Sequence, residues 1–384
     1  MNVWLEGFFW AVGVAWFGKT LECLWNMRTG RPLPPLDSSD AAVQTQPKVS
    51  VIVAARDEAA RIETTVRQLL AQQAIELQLI VVDDRSTDGT QEILARLSAG
   101  DHRLQVIRID QLPDGWIGKC HACHAGASAA TGDWLLFTDG DIWLSADVIA
   151  RAVAAAGREQ AAHVCLTPGV SPAGTLVRAG LLSFQIAMID HIARVNRDSR
   201  RGFIGIGAFN LVRAELYRSF GGHEPLRLDV LDDMKLGLLM RRAGGRTRCF
   251  VGDDDVQADW AASLWGIVRA LEKNGFAQAR YNLAVVVLIV VVILVFWTAA
   301  FVGPWTGTAA GITAGIGLAS MIVPATMLAV RQRWSIVSAL LTPVACLVLV
   351  VAVTNSTVVT LRQGGIRWRD TFYPLATLRQ GLVR

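Results

Sequence analysis

The sequence predicts an α/β domain attached to membrane helices, and two observations support this fold class. Between residues 49 and 137, short apolar stretches alternate with stretches whose apolar residues recur at helical spacing. This alternation is typical of βαβ units on a parallel sheet. Three later apolar stretches are each long enough to cross a bilayer, which takes about 20 residues. A chain of 384 residues has room for one large domain plus such appendages.

The α/β region is a run of predicted strands and helices. Strands are predicted at Val49–Ala54, Leu77–Val82, Leu104–Ile109, Trp134–Phe137 and His163–Thr167. Helices are predicted at Ala59–Gln72, Gly89–Leu97, His121–Ala130, Val148–Ala156, Leu176–Val195, Ala214–Phe220 and Asp232–Ala243. The acidic run Asp253–Asp255 is expected to be a solvated strand end. In such folds the carboxyl ends of the strands form the edge that binds ligands.

Long apolar segments near both ends of the chain indicate a membrane protein. The C-terminal ones are Asn282–Gly303, Thr308–Val330 and Ser335–Leu361. Near the N-terminus, Val3–Trp25 is apolar but contains three charged residues, and we expect a span or an interfacial helix rather than a cleaved signal peptide. Basic residues follow it, which places the α/β region on the cytoplasmic side of the inner membrane by the positive-inside rule.

Six regions follow from these patterns. They are an N-terminal membrane helix (1–30), a linker (31–46), the α/β domain (47–258), an amphipathic interfacial helix (259–281), a transmembrane region of three apolar segments (282–361) and a basic tail (362–384). Two arrangements stay open before the tail: a re-entrant hairpin broken at Pro343, or a tail outside the cell. Basic residues concentrate beside membrane segments, where they fit contact with anionic lipid. The net charge of +4 therefore says little about nucleic acid, and no nucleic-acid partner is expected.

Pairs of acidic residues follow several predicted strands. Asp139 and Asp141 flank a glycine at the end of Trp134–Phe137, and two carboxylates there can hold Mg²⁺ or Mn²⁺ together with a diphosphate. Asp83 and Asp84 end another strand, where carboxylates can accept hydrogen bonds from a base or a ribose. The residues after them would also serve as an ordinary helix cap. A similar acidic pair, Asp57–Glu58, follows the first strand.

Two further positions are candidates for the chemistry. Asp232 and Asp233 open a predicted helix, where acids are favoured by the helix dipole in any case. In the functional interpretation Asp233 is a general base that removes a proton from an acceptor hydroxyl, and Asp232 orients it. Lys119 leads into a helix after a glycine-containing turn and can contact a phosphate, although a surface lysine would look the same.

The segment Cys120–His124 matches the C-x-x-C-H pattern of haem attachment. Haem is disfavoured because the segment lies inside a domain assigned to the cytoplasm. Zinc is slightly more plausible, yet contiguous ligands on one helix cannot all point at one ion. We therefore expect this segment to pack as a helix face, and we expect the isolated histidines, among them His163 and His223, to be structural.

Taken together, these motifs resemble family 2 glycosyltransferases of the GT-A fold over about Pro47 to Tyr281. The similarity rests on Val49–Glu58, Val82–Thr90, Thr138–Asp141, and Asp232–Asp233 with the following Arg241–Gly245. Within the family, Leu112–Lys119 and Gly364–Arg369 look like the hopanoid-associated and carotenoid-tailoring enzymes and bacterial relatives of ceramide glucosyltransferase. The Q-x-x-R-W motif of many membrane members is present only as Gln278-Ala279-Arg280-Tyr281, which argues against a processive polysaccharide synthase.

The resemblance implies a Rossmann-like mixed sheet with helices on both faces and a nucleotide-diphospho-sugar donor, with UDP as the expected nucleotide. Asp57 and Asp84 would contact the nucleoside, with Glu58, Asp83, Lys119 and Arg280 as further donor-binding candidates. Asp139 and Asp141 would hold the metal and the diphosphate. Asp233 would be the base of an inverting displacement.

The predicted protein is thus a membrane-bound hexosyltransferase that glycosylates a hydroxyl of a lipid at the cytoplasmic face. Leu176–Val195 and the Trp-rich helix Ala261–Tyr281 are expected to place the lipid headgroup near Asp233. One alternative is transfer to a polyprenyl phosphate, an acceptor that is already anionic and needs no base. Another is a non-catalytic scaffold or sugar-nucleotide sensor, for which Asp233 would have no use.

Overall fold

The computed structural model describes residues 3–37, 39–40, 45–171 and 174–383. The chain divides into two compact units. The sheet unit comprises Gly30–Ser171, His191–Asp259 and Gln380–Arg384, and the helical unit comprises Met1–Thr29, Pro172–Asp190 and Trp260–Arg379. Each unit is built from segments that are distant in the sequence.

In the sheet unit, eight strands of the described residues form one mixed sheet in the order β3-β2-β1-β4-β7-β6-β8-β5. Their bounds are Lys48–Ala55 (β1), Glu76–Asp84 (β2), Leu104–Ile109 (β3), Trp134–Asp139 (β4), Ile142–Leu144 (β5), His163–Val170 (β6), Asn210–Arg213 (β7) and Thr247–Ala258 (β8). Strands β3, β2, β1 and β4 run parallel, whereas β7 is antiparallel to both β4 and β6. The predicted α/β class and mixed sheet are confirmed.

Helices cover both faces of this sheet. They are Ile62–Leu70 (α2), Thr90–Gly100 (α3), Gly118–Ala129 (α4), Val148–Arg158 (α5), Ala214–Ser219 (α7) and Asp232–Arg242 (α8). Because side chains alternate along a strand, Val49, Val51 and Val53 of β1 join one buried cluster, with α2, α3 and α5. Ile52 joins the other cluster, with α4, α7 and α8. Two apolar cores thus hold the sheet between helices.

The acidic run Asp253–Asp255 is not a solvated strand end. It lies inside β8, which continues to Ala258 and pairs with β5. Asp255 accepts hydrogen bonds from Arg151 at 2.7 Å and from the Ser145 hydroxyl at 2.9 Å. The prediction was wrong because the partner strand and the arginine come from distant parts of the chain.

The helical unit contains most of the apolar helices. Its elements are Val3–Met27 (α1), most of Thr175–Asn196 (α6), Leu264–Ala270 (α9), Gly275–Gln278 (α10), Leu283–Val302 (α11), Ala309–Ser320 (α12), Ile322–Arg331 (α13), Ile336–Leu340 (α14), Thr342–Ala345 (α15), Leu347–Gln363 (α16), the hairpin Gly365–Trp368 (β9) and Thr371–Pro374 (β10), and most of Leu375–Gln380 (α17). Four helical stretches of the described chain have the length and composition of membrane spans: Thr175–Asn196, Leu283–Thr306, Ala309–Arg331 and Thr342–Gln363. The last three correspond to the predicted C-terminal segments.

The first helix packs closely on α12, although its composition does not place it among those four stretches. A Cβ on Gly13 would lie 3.0 Å from Thr313 Cγ2, and a Cβ on Gly317 would lie 2.9 Å from the Gly13 carbonyl oxygen. The Thr20 and Ser320 hydroxyls are 2.6 Å apart. Small residues and hydroxyl pairs at a helix contact are typical of packing inside membranes, so α1 stays a predicted membrane helix.

The segment 259–281 is not one amphipathic helix. It forms the short helices α9 and α10, and the chain turns between them. A Cβ on Gly275 would lie 2.9 Å from Ser356 Cβ, and the Phe276 N–H donates to the Ser356 hydroxyl at 2.8 Å. This contact with α16 requires the chain to break where apolar spacing alone predicts continuation.

The third apolar segment and the residues after it have structure that the sequence left open. Leu341 and Cys346, on either side of α15, keep right-handed helical dihedrals, so the chain continues helically past Pro343 and forms no re-entrant hairpin in the described residues. Downstream, the expected basic tail contains β9, β10 and α17. Lys273 lies 3.5 Å from the ring centre of Trp368 in β9, which ties the hairpin to the loop before α10.

Candidate active site

Three acidic strand ends meet at one edge of the sheet. Strand β1 lies between β2 and β4, and all three run parallel. In the register, Ala55 pairs with Asp83 and Ala54 pairs with Asp139. Because β1 ends at Ala55, the loop with Asp57 and Glu58 starts between the two acidic ends. The structure therefore brings these strand ends together as their positions in the sequence predict.

The loop after β1 is fixed to the loop after β2. The Asp57 N–H donates to the Ser86 hydroxyl at 2.9 Å, and the Thr87 N–H donates to Asp57 Oδ1 at 2.8 Å. The Glu58 N–H donates to the Thr90 hydroxyl at 2.9 Å. Asp57 has a φ of 53°, a left-handed conformation that aspartate tolerates better than most residues. These hydrogen bonds hold the two loops together. The loops form one wall of the crevice at the acidic strand ends.

Asp83 and Asp84 have different surroundings. The Asp83 carboxylate is buried, accepts the Ser86 N–H at 3.1 Å and forms an ion pair with Arg108. Asp84 accepts two hydrogen bonds from Arg85, at 2.7 and 2.9 Å. Its carboxylate also lies against Gly118, the first residue of α4, where a Cβ would have no room. Asp84 therefore faces the start of the helix that carries Lys119. Asp83 instead interacts with Ser86 of the following loop and with Arg108 of β3.

Lys119 reaches the end of β4. Its Nζ donates to Asp139 Oδ1 at 2.6 Å, and the lysine side chain is 22% exposed. Burial alone would lower the pKa of Lys119. The negative charges of Asp139, Asp232 and Asp233 outweigh burial and raise that pKa well above its ordinary value. Lys119 is thus a fixed cation among carboxylates, not a surface lysine.

Asp139 and Asp141 flank Gly140 at the end of β4, as predicted. Their side chains are 39% and 38% exposed. Burial, followed by the charge of Asp139, raises the pKa of Asp141. Arg61 lies 3.8 Å from Asp141. Two neighbouring carboxylates that disfavour each other's charge, with oxygen as the only donor atom, fit a hard divalent ion such as Mg²⁺ or Mn²⁺.

Asp233 is held by backbone groups. Its Oδ2 accepts the Gly207 N–H at 3.0 Å, and its Oδ1 accepts the Met234 N–H at 2.7 Å. Asn210 donates to the Asp233 carbonyl oxygen at 3.3 Å. Burial, then the charge of Asp232, raises the pKa of Asp233 to about 6, and Lys119 acts in the opposite direction. A carboxylate with this pKa can take up a proton near neutral pH.

Gly207 marks the point where these groups converge. A Cβ at this glycine would lie 2.9 Å from Asp139 Oδ2, 3.4 Å from Asp233 Oδ2 and 3.4 Å from Lys119 Nζ. The three charged groups come from β4, α8 and α4, which are far apart in the sequence. They also line one small cavity. Its volume of about 10 Å³ leaves room for about one water.

The ligand-like residues of Cys120–His124 point in different directions. His121 and His124 pack on Trp116, with ring centres 5.4 and 5.0 Å apart. The Cys120 thiol faces the Asp229 carbonyl oxygen at 3.6 Å, and Cys123 lines the cavity beside Asp233. These residues therefore do not form one four-ligand metal site, as expected for contiguous residues on a helix.

Several residues that the sequence did not place in the site line the same cavity, among them Gly207, Asn210 and His223. His223 is among the isolated histidines expected to be structural, and no local signal distinguishes it. Arg280 belongs to the helical unit and is exposed, with a φ of 54°. Its predicted contact with the donor stays a prediction.

Comparison with known proteins agrees with this geometry. Residues 50–221 match the family described as Glycosyl transferase family 2. The chain carries a family 2 glycosyltransferase domain. Over 128 residues, this chain is 34% identical to 4,4'-diaponeurosporenoate glycosyltransferase of Staphylococcus haemolyticus, covering 33% of either protein. It is 32% identical over 156 residues to beta-monoglucosyldiacylglycerol synthase of Synechocystis sp., covering 40% of this chain and 32% of the relative. The matches thus span about a third of these curated relatives.

A solved structure extends the similarity of the glycosyltransferase domain to the fold of nearly the whole chain. The mannosyltransferase PcManGT from Pyrobaculum calidifontis, in complex with GDP-Man and Mn²⁺, aligns over 91% of this chain and 98% of its own, with a TM-score of 0.55 and 22% identity. At this identity the likeness shows the fold. The predicted GT-A-like fold with apolar C-terminal helices is confirmed.

Proposed function

We propose that this protein is a membrane-bound inverting hexosyltransferase that moves a sugar from a nucleotide-diphospho-sugar to a hydroxyl of a membrane lipid. The observation that carries the proposal is the convergence of Asp139, Lys119 and Asp233 around Gly207. Such an arrangement supplies what the reaction needs at one point: groups that stabilise a departing diphosphate and a carboxylate that accepts a proton.

Asp139 and Asp141 would hold Mg²⁺ or Mn²⁺, because their oxygen-only donor set suits these ions. When bound, the ion supplies positive charge to the diphosphate that leaves the sugar. Lys119 already neutralises Asp139 at 2.6 Å. It is placed to transfer this interaction to a phosphate oxygen when a donor occupies the crevice.

Asp233 would be the base. Its two backbone hydrogen bonds fix the carboxylate in place, and its raised pKa matches the task of taking a proton from an alcohol as the alcohol attacks the sugar carbon. In this single displacement, the alcohol oxygen forms a bond to the sugar carbon while the bond from that carbon to the diphosphate oxygen breaks. The proton ends on Asp233, and the sugar configuration inverts.

The nucleoside would lie along the ends of β1 and β2, against Asp57, Glu58 and Asp84. We expect UDP as the nucleotide, by resemblance to the family. Asp83 is committed to Arg108, so we propose that any effect of Asp83 on the donor acts through the shape of this loop.

A lipid acceptor is supported by two kinds of observation. Four helical stretches have the length and composition to cross a membrane, and the names of two relatives refer to diaponeurosporenoate and diacylglycerol as the glycosylated group. Arg28, Arg31 and Lys48 follow α1 and favour a cytoplasmic sheet unit at the inner membrane. The proposed acceptor is therefore a lipid alcohol taken from the inner leaflet.

The experiment uses full-length protein in detergent, radiolabelled UDP- and GDP-sugars, and a total lipid extract as acceptor. Wild type should produce a labelled lipid with Mg²⁺ or Mn²⁺ present, and Asp233→Asn should lower the rate by about 10²- to 10⁴-fold. Asp110→Asn, which changes a side chain that is 86% exposed, is the matched control and should keep full activity.

Two results would contradict the proposed function. If Asp233→Asn transfers sugar as fast as wild type and the product is a polyprenyl phosphosugar, the acceptor needs no base and the lipid-alcohol proposal fails. If no nucleotide-sugar is consumed by any variant, with lipid or with water as acceptor, the protein is not a transferase. If wild type does produce a labelled lipid, mass spectrometry of that lipid identifies the acceptor alcohol.

A further inference from the structure

A second cluster of metal-ligating side chains lies next to Asp233 and lines the same small cavity. The Cys123 thiol from α4, the His223 imidazole from the turn after α7 and the Asp232 carboxylate at the start of α8 each offer one ligand atom, and these atoms lie within 4.8 Å of one another. Cys123 is 100 residues from His223 in the sequence. The fold, not a local motif, brings the three together.

The three groups are buried. Cys123, His223 and Asp232 are 4%, 1% and 5% exposed. Burying a carboxylate away from water is unfavourable unless its charge is compensated, and a metal ion between the three ligand atoms would supply that compensation.

His223 is oriented for ligation. Its Nδ1 lies 2.7 Å from the Tyr217 hydroxyl, and its backbone N–H donates to the same oxygen at 3.1 Å. Gly222, with a φ of +60°, leaves the space that the Tyr217 ring needs. In the tautomer in which Nδ1–H donates to the Tyr217 hydroxyl, the lone pair is on Nε2, and metal-binding histidines commonly donate their other ring N–H in this way.

We propose that Cys123, His223 and Asp232 bind a Zn²⁺ ion, at a site separate from the Mg²⁺ or Mn²⁺ site at Asp139 and Asp141. A sulfur, a nitrogen and an oxygen ligand suit zinc, whereas the oxygen pair suits the harder ions. Zinc bonds of about 2.0–2.3 Å place tetrahedral ligand atoms about 3.3–3.8 Å apart, which small rotations of these side chains reach. The cavity that these three residues line has room for about one water, which would take the fourth position.

Charge also favours a divalent ion here. Three carboxylates, those of Asp139, Asp232 and Asp233, surround the Lys119 cation and line the same cavity, so the cavity is rich in negative charge. Binding of Zn²⁺ displaces the Cys123 thiol proton to solvent and forms a zinc–thiolate bond. The ion would join α4, the His223 turn and the first turn of α8, and so hold the peptide that carries Asp233.

The test measures metal binding on the full-length protein in detergent, without any nucleotide-sugar, so its outcome is independent of the proposed transferase activity. The protein is stripped with a chelator, dialysed against Mg²⁺ and titrated with Zn²⁺, and bound metal is counted by mass spectrometry. Co²⁺ replaces Zn²⁺ in a parallel titration, because a thiolate ligand produces an intense charge-transfer band in the near ultraviolet.

Wild type should bind one tight Zn²⁺ and show the cobalt–thiolate band. Cys123→Ala should weaken zinc binding by more than about 100-fold and abolish the band, whereas Tyr217→Phe, which only loosens His223, should weaken it by about 10- to 100-fold. Cys120→Ala is the matched control on the same helix, since its thiol faces a carbonyl oxygen. Its affinity should equal that of wild type. Replacing Asp139 and Asp141 by asparagine should also leave this site intact.

Two results would overturn the proposal: wild type that binds no zinc and shows no thiolate band, or a Cys123→Ala variant that binds zinc as tightly as Cys120→Ala. Because the cobalt band of wild type reports thiolate ligation directly, a variant that fails to fold does not remove the test.

Discussion

Gly207 offers the most direct test of the crevice. Its φ lies outside the left-handed region, so alanine is compatible with the backbone, and only the added methyl group is at issue. That methyl group would lie 2.9 Å from Asp139 Oδ2 and 3.4 Å from both Asp233 Oδ2 and Lys119 Nζ. A carbon 2.9 Å from a carboxylate oxygen is too close, so the charged side chains must move.

The expected effect follows from the interactions that this movement breaks. Hydrogen bonds to charged groups contribute about 1.5–3 kcal/mol each. Losing one of them in the transition state lowers kcat/KM by about 10- to 150-fold. Since Asp139 is the nearest neighbour, the Mg²⁺ concentration for half-maximal activity should also rise. The assay is nucleotide-sugar consumption over a Mg²⁺ series, with a thermal melt to confirm folding.

Gly100→Ala is the matched control, because a Cβ at that position meets no atom within 4 Å. It ends helix α3, where alanine is favoured over glycine by up to about 1 kcal/mol, and its activity should equal that of wild type. A Gly207→Ala protein that melts normally and keeps kcat/KM within twofold of wild type would refute the reasoning, since the reaction then does not use this crevice.

Three other outcomes are expected. Asp233 must be ionised to act as a base, so kcat/KM should be constant above its raised pKa and fall tenfold per pH unit below it; Lys119→Met removes a stabilising cation and should move this fall to higher pH. Arg108→Met leaves the buried Asp83 charge unpaired and should lower the free energy of unfolding by about 1.5–3 kcal/mol in a thermal or denaturant melt. Gly13→Leu places a large side chain where the neighbouring helix is 3.0 Å away and should lower the melting temperature of the detergent-solubilised protein.

Each of these outcomes has a contrary result. An unshifted fall of activity in Lys119→Met would mean that this lysine does not act on the base. An unchanged melt of Arg108→Met would mean that another group neutralises Asp83. For α1, a Gly13→Leu protein as stable as Gly7→Leu, where a Cβ meets nothing within 4 Å, would mean that this helix does not pack as described.

Much of the sheet unit is predictable from the sequence because its signals are local. Strand β3 was predicted with its observed bounds, Leu104–Ile109, since turn residues flank a short apolar run. The acidic strand ends were predictable for the same reason, because parallel neighbours end at one edge. The antiparallel strand β7 has no comparable local signal, because its partners β4 and β6 are far away in the sequence.

What the sequence did not predict depends on contacts between distant segments. From the sequence alone, Lys119 could equally be a surface residue. The structure shows that its Nζ lies 2.6 Å from Asp139 Oδ1. The break between α9 and α10 depends on Ser356, which lies 80 residues after Phe276. Cys123 is a candidate metal ligand because His223 lies close to it. No spacing rule connects a helix residue to a turn 100 positions away.

Asp232 and Asp233 illustrate how two adjacent acids come to have different roles. Successive side chains in a helix point about 100° apart, so these two neighbours point in different directions although both line the same cavity. Asp233 turns to Gly207 and the Asp139 edge, whereas Asp232 turns to Cys123 and His223. The predicted catalytic pair is therefore better described as one base and one anchoring residue. On this basis Asp232→Asn should weaken zinc binding in the cobalt titration, while Asp233→Asn should leave the cobalt–thiolate band unchanged and abolish transfer. Loss of the band in both variants would show instead that the two carboxylates share one ion.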